Sequence, residues 1–201
     1  MPHPLTCGIV AGGASSRMGR NKALLSFRGR PLLAHLLDGL RPLFDRVVVA
    51  ANDPEPYAPF GVEVVPDALQ ERCSLTGIHA ILRASSTEHA FVVACDMPFL
   101  NPALIARLVG CRTGNDVVVP ESKDQIEPLH AVYSRACIEP IEDSARRGAW
   151  KVSDFYPRVR VCRLPLRIED WLVEGRSPFF NANTPSEWDS AAPESRGPAG
   201  P

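Results

Sequence analysis

The chain has 201 residues, 45% hydrophobic and 22% charged, the mix of one soluble globular domain able to bury about two-thirds of its unfolded surface. A formal net charge of −1 argues against a dedicated nucleic-acid binder, and no apolar run reaches the length of a membrane-spanning helix. The opening Met1-Pro2-His3-Pro4 lacks the basic start and long apolar stretch of a secretory signal, and six scattered cysteines without a C-x-x-C pair argue against a disulfide framework or zinc site, so the cytoplasm is the expected compartment.

Residues 5–10 form a short apolar run that ends at Gly12-Gly13 and predicts a first strand. Residues 31–44 predict a helix, because Leu32, Leu33, Leu36, Leu37, Leu40, Leu43 and Phe44 recur at three- and four-residue steps and Pro31 suits a first turn. Val47-Val48-Val49 marks a strand over 46–51 buried on both faces, and 62–65 reads as another, closed by Pro66-Asp67. A short helix over 75–83 precedes an apolar strand at 91–95 that stops at Asp96. Asn101-Pro102 caps and starts a helix through about Val109. Strands at 117–119, 129–133 and 159–164 and a helix over 135–147 complete the chain. The alternation predicts an α/β, Rossmann-like single domain over 1–190, with a mainly parallel sheet flanked by helices. Residues 191–201, rich in Pro, Gly, Ser and Ala, read as a disordered tail.

In such a sheet ligands gather beyond the carboxyl ends of the strands, so the polar residues just after each strand matter most. The first of these stretches is Ala11-Gly12-Gly13-Ala14-Ser15-Ser16-Arg17-Met18-Gly19-Arg20-Asn21-Lys22. Its small residues let backbone approach a ligand closely, and successive N–H groups in such a loop can cradle phosphate oxygens. Arg17 and Lys22 supply charge, Arg as a fork and Lys as a mobile point charge. The loop is neither a G-x-x-x-x-G-K-[ST] nor a G-x-G-x-x-G motif, and an ordinary strand-to-helix turn that needs glycine accounts for it equally well. Asp96, fixed at the end of a strand, suits Mg²⁺, which often takes one or two carboxylates plus phosphate oxygens and water; the competing reading is a carboxylate that caps the Met97-Pro98 turn.

The run Ile9-Val10-Ala11-Gly12-Gly13-Ala14-Ser15-Ser16-Arg17-Met18-Gly19 followed by Lys22-Ala23-Leu24-Leu25 resembles the signature of the nucleotidyltransferase family, and more narrowly its MobA-like molybdenum cofactor guanylyltransferases. Further matches are Val49-Ala50-Ala51-Asn52, Pro66-Asp67, Leu75-Thr76-Gly77-Ile78, Ala94-Cys95-Asp96-Met97-Pro98-Phe99-Leu100 and Asn181-Ala182-Asn183-Thr184-Pro185. The resemblance implies that Ala11, Gly12 and Gly13 meet the guanine and ribose of GTP, and that Arg17 and Lys22 meet its triphosphate. It implies that Asn52 and Asp67 hold the nucleoside, with Asp67 accepting from the guanine edge, and that Asp96 holds Mg²⁺. Lys22, Arg17 and Asp96 would form the catalytic group, and Asn181 or Asn183 would approach the metal or the acceptor. GTP and molybdopterin are the implied partners, with molybdenum cofactor assembly proteins and molybdoenzyme chaperones beside them; no nucleic acid or membrane is implied.

Two departures stand out: Cys73-Ser74 replaces the family's Gly-Pro, and Asn21 replaces the aspartate before the loop lysine. His35 and His79 are expected to be structural or surface residues, and His130 a half-buried strand histidine next to a segment that resembles the family's acceptor side. His3 and His89 carry no signal, and no Ser-His-Asp or Cys-His triad is suggested. The implied reaction is transfer of GMP from GTP to the pterin's phosphate with loss of pyrophosphate. One alternative keeps the chemistry with CTP or another phosphorylated acceptor, although Ala11-Gly12-Gly13 matches the GTP branch better than the Ala-Ala-Gly of the CTP branch. The other is a non-catalytic nucleotide-binding module, against which Asp96, Arg17 and Lys22 argue.

Overall fold

The computed structural model describes residues 2–11 and 21–181. Gly12, Gly13, Arg17, Asn183, Thr184-Pro185 and the tail 191–201 lie outside the described residues.

Among the described residues, ten strands and four α-helices follow one another along the chain. The strands are β1 (His3–Val10), β2 (Ser26–Phe27), β3 (Arg30–Pro31), β4 (Phe44–Ala50), β5 (Glu63–Val65), β6 (His89–Ala94), β7 (Val117–Ser122), β8 (Gln125–Ile126), β9 (His130–Ser134) and β10 (Val161–Pro165). The helices are α1 (Leu32–Leu40), α2 (Ser74–Ala84), α3 (Pro102–Gly110) and α4 (Ile138–Arg146). The main sheet runs β10-β7-β9-β6-β1-β4-β5, with β8 paired to β7, while β2 and β3 form a separate hairpin. β5, β4, β1 and β6 are mutually parallel. β9 runs antiparallel to both β6 and β7, and β10 is parallel to β7. The sheet is thus mainly parallel, as predicted, with one reversed strand inside it.

Both faces of the sheet are covered, which is why its strands read as continuous apolar runs rather than alternating ones. Cys7, Ile9, Phe91 and Val93 pack with the leucines of α1 and with Leu104, Ile105 and Leu108 of α3. Val10, Val48, Ala90 and Val92 pack on the other face with Leu75, Ile78 and Ile81 of α2 and Ile141 of α4. Two glycines let α2 lie close on β1. A Cβ on Gly8 would fall 2.3 Å from Ile81 Cδ1, and one on Gly77 would fall 2.8 Å from Val10 Cγ1. This close approach carries the first turn of α2 to the carboxyl end of the sheet.

Helix α1 is shorter than its apolar stripe predicts, ending at Leu40. Pro42 has no N–H to continue the ladder and its ring would clash with a carbonyl one turn back, so the helix stops and Phe44 opens β4 instead. The predicted helix over 135–147 resolves into a 3-10 turn, Arg135–Cys137, and α4. The strand predicted at 117–119 extends to Ser122 because β8 folds back on it through Lys123 and Asp124, both at positive φ.

Candidate functional site

Four adjacent parallel strands end level with one another. Val10 of β1 is in register with Ala50 of β4 and Ala94 of β6, and Ala50 with Val65 of β5. The next residues are fixed by one more backbone hydrogen bond each: Ala11 N–H donates to Ala50 O (3.1 Å), Ala51 N–H to Val65 O (3.0 Å) and Cys95 N–H to Val10 O (3.0 Å). Four residues predicted for the site, Ala11, Asn52, Asp67 and Asp96, therefore emerge along a single sheet edge.

Asp96 is buried, and its Oδ2 accepts a hydrogen bond from Lys22 Nζ at 2.8 Å. The two side chains are only 11% and 14% exposed, so this is a largely desolvated ion pair rather than a surface contact. Lys22 is aimed by a 3-10 turn, Lys22–Leu24, that Asn21 caps. The Asn21 Oδ1 accepts from Ala23 N–H (3.1 Å) and its Nδ2 donates to the Tyr57 hydroxyl (2.9 Å). The departure at Asn21 thus preserves the cap expected of an aspartate and adds a donated bond to Tyr57, a residue the sequence reading did not single out.

The second pair joins Asn52 and Asp67. Asn52 Nδ2 donates to Asp67 Oδ2 (3.1 Å), and the backbone N–H of Asp67 donates to Asn52 Oδ1 (2.8 Å). Burial pushes the Asp67 carboxyl above its ordinary range, with the Asn52 amide and Thr76 hydroxyl acting in the opposite sense. Thr76 belongs to the first turn of α2, and its Oγ1 also donates to Cys73 O (2.8 Å). Cys73 precedes α2 directly and its backbone N–H bonds Thr76 Oγ1 at 3.3 Å, so the replacement of Gly-Pro leaves a closed helix start.

A third carboxylate borders this edge. Glu127 accepts from Leu129 N–H at 3.2 Å. Burial raises its carboxyl above the usual range, and the nearby charge of Asp96 raises it further. Nothing in its sequence context distinguished Glu127 from a solvated residue between two strands. His130, expected to be half-buried, is fully buried. Its ring meets Phe91 (5.2 Å between centroids) and Phe179 (5.4 Å), both edge-on, and neither ring nitrogen has a hydrogen-bond partner among the described residues. Burial pushes its pKa down to about 3. Phe180 packs on Phe99 (5.7 Å), so this aromatic pair anchors the segment that leads into Asn181. His35 bonds Phe27 O (2.7 Å) and His89 bonds Asn115 O (3.0 Å), both structural contacts, and His79 is packed inside, one of the two settings expected for it.

The edge thus offers a lysine with a carboxylate and, beside them, an amide with a second carboxylate. The first pair can exchange its mutual contact for contacts with phosphate and a hard cation. The second can hold donors on a heterocycle. Among the described residues no three His, Cys, Asp or Glu side chains cluster as a metal cage. A single carboxylate suits an ion such as Mg²⁺, which completes its octahedron with substrate oxygens and water.

The model of the MobA-like NTP transferase domain matches residues 7–160. A probable molybdenum cofactor guanylyltransferase of Pelotomaculum thermopropionicum is 40% identical over 179 residues, spanning 89% of this chain and 87% of that protein. The molybdenum cofactor guanylyltransferase of Desulfosudis oleivorans is 37% identical, with 91% and 92% covered. Among solved structures, molybdopterin-guanine dinucleotide biosynthesis protein A of Archaeoglobus fulgidus superposes with a TM-score of 0.79 at 26% identity, covering 94% of this chain and 97% of that one.

Proposed function

Because the chain belongs to the MobA-like NTP transferase family, we propose that it transfers GMP from GTP to molybdopterin, forming the molybdopterin guanine dinucleotide cofactor. The observation that carries this reading is the Lys22–Asp96 pair beside the Asn52–Asp67 pair on one sheet edge. A terminal phosphate oxygen of molybdopterin attacks the α-phosphorus of GTP. The bond from that phosphorus to the oxygen bridging to the β-phosphate breaks, and pyrophosphate leaves with that electron pair.

No side-chain nucleophile is required, because the acceptor brings its own phosphate. The protein's work is positioning and charge stabilisation. Lys22 moves from Asp96 onto the triphosphate and steadies the charge that grows on pyrophosphate, with Arg17 beside it. Asp96 is the residue that would hold Mg²⁺, which when bound neutralises phosphate charge. Ala11, Gly12 and Gly13 border the base and ribose. Asp67, held by Asn52, accepts from the amino and ring N–H donors of guanine, and a base without those donors would leave the remaining acceptor sites of this half-buried carboxylate unfilled. Asn181, and Asn183 beyond it, would face the acceptor or metal. Six free thiols and the absence of any helix long and apolar enough to cross a membrane among the described residues suit a cytoplasmic enzyme. Delivery to molybdoenzyme chaperones and other assembly proteins follows from the product.

The test compares wild type with Asp96→Ala and Lys22→Ala in pyrophosphate release from GTP, Mg²⁺ and molybdopterin. Each variant is expected to lose roughly 10²–10³-fold in turnover while keeping wild-type circular dichroism. Wild-type rates in either folded variant would sink the assignment.

A further inference from the structure

A cavity of about 400 Å³ lies between the loop that follows Asp67 and the end of α4. Leu69 and Ala145 give it apolar surface, Trp150 an aromatic plane, Glu71 and Glu142 carboxylates, and Arg146 a cation. That volume and mixture suit a flat bicyclic heterocycle. The cavity adjoins the site already described. Leu69 is two residues beyond Asp67, and Cys73, at the start of α2, meets the backbone carbonyl of Trp150 through its sulfur (3.9 Å).

One wall is held from inside the protein. His79 of α2 is 2% exposed, and its Nε2 donates to Glu142 Oε1 at 3.0 Å. The other ring nitrogen of His79 is buried with no hydrogen-bond partner among the described residues, so Glu142 is its polar contact there. Glu142 itself is about a third exposed. A buried imidazole therefore fixes the orientation of a carboxylate that still faces the cavity. Each carboxylate oxygen has two acceptor sites, so Glu142 can keep His79 and take two further donors side by side. Arg146 is already paired with Asp143 and remains largely exposed, which leaves it at the cavity rim.

We propose that this cavity receives the pterin ring of the acceptor, its face on Trp150 and its 2-amino and ring N–H edge on Glu142. This rests on molybdopterin as the acceptor. It gives the two heterocycles of the reaction separate carboxylates: Asp67 for guanine and Glu142 for pterin.

The test uses the whole protein with saturating GTP and Mg²⁺, titrated with 6-hydroxymethylpterin as a fluorescent probe. Glu142→Gln and Trp150→Ala are each expected to weaken pterin binding at least roughly fivefold, and 4-oxopteridine, which lacks the 2-amino group, to bind roughly tenfold more weakly than the probe. Affinity for GTP should stay within twofold in both variants, and Trp150→Phe should retain the probe, which separates loss of stacking from loss of fold. Equal binding of the deaminated ring, wild-type affinity in both Glu142→Gln and Trp150→Ala, or displacement of the probe by GTP would overturn the proposal. A wild-type protein that makes the dinucleotide without binding the probe overturns the cavity assignment alone. One that binds the probe in the cavity and transfers no GMP overturns the reaction instead.

Discussion

His130 makes the stability of this protein depend on pH in a way that can be calculated. Its imidazole is fully buried between Phe91 and Phe179, and burial holds its pKa near 3. In the unfolded chain the same ring titrates at about 6.5. The unfolded state therefore binds a proton below pH 6.5 that the folded state refuses, and stability must fall as the pH drops through that value. Between pH 8 and pH 5 the loss is about 2 kcal/mol. At pH 5 the folded ring is still neutral, so this figure depends almost entirely on the unfolded chain. Leucine in place of His130 fills a similar volume, retains the contacts with both rings and cannot titrate. Urea unfolding of wild type and His130→Leu at both pH values isolates the effect, since the carboxylates common to both cancel. The difference in stability between the two proteins is expected to grow by about 2 kcal/mol in favour of the variant on going to pH 5. At pH 8 the variant should already be the more stable by about 1–3 kcal/mol, because two ring nitrogens without a partner among the described residues leave the interior. Parallel pH profiles for the two proteins would show that His130 does not stay neutral in the folded state.

The close approach of β1 and α2 gives a second prediction: Gly8→Ala should destabilise the fold by about 1–3 kcal/mol, measured by thermal or urea unfolding, because its Cβ meets three side-chain atoms of Ile81. Ile81→Ala should then cost less in the Gly8→Ala background than in wild type, and additive effects would contradict the packing. If Asp67 reads the base as proposed, Asp67→Asn and Asn52→Ala should each raise the KM for GTP roughly tenfold or more and narrow the preference over other triphosphates, because that carboxylate is lost or released from its amide. Unchanged base selectivity in Asp67→Asn would move base recognition elsewhere.

Much of the architecture was legible because a parallel sheet covered on both faces needs unbroken apolar strands, and Val47-Val48-Val49 and Phe91-Val92-Val93 supply them. The same regularity made the candidate edge legible, since the residues following β1, β4, β5 and β6 lie level as a consequence of register. The end of α1 was misplaced because Leu43 and Phe44 continue the leucine stripe past Pro42, and the break in backbone hydrogen bonding outweighs the stripe. β8 has only two residues and rests on a turn at Lys123-Asp124 without glycine, so it leaves no periodic trace. Glu127, Tyr57 and the cavity around Trp150 were not legible for a different reason. Each acquires its role from a partner far along the chain: Tyr57 from Asn21, Glu127 from Asp96, Glu142 from His79. Sequence pattern reports local periodicity, whereas these contacts depend on how the layers stack.

Transfer of GMP to the pterin phosphate can be followed by incubating the purified protein with Mg²⁺, molybdopterin and either GTP or CTP labelled at the α-phosphate, and tracing the label into the pterin product. Label from GTP is expected to appear in a molybdopterin dinucleotide together with one pyrophosphate for each transfer, with little label from CTP. Preferential transfer from CTP, or label that reaches no pterin product with folded protein, would contradict the proposed transfer.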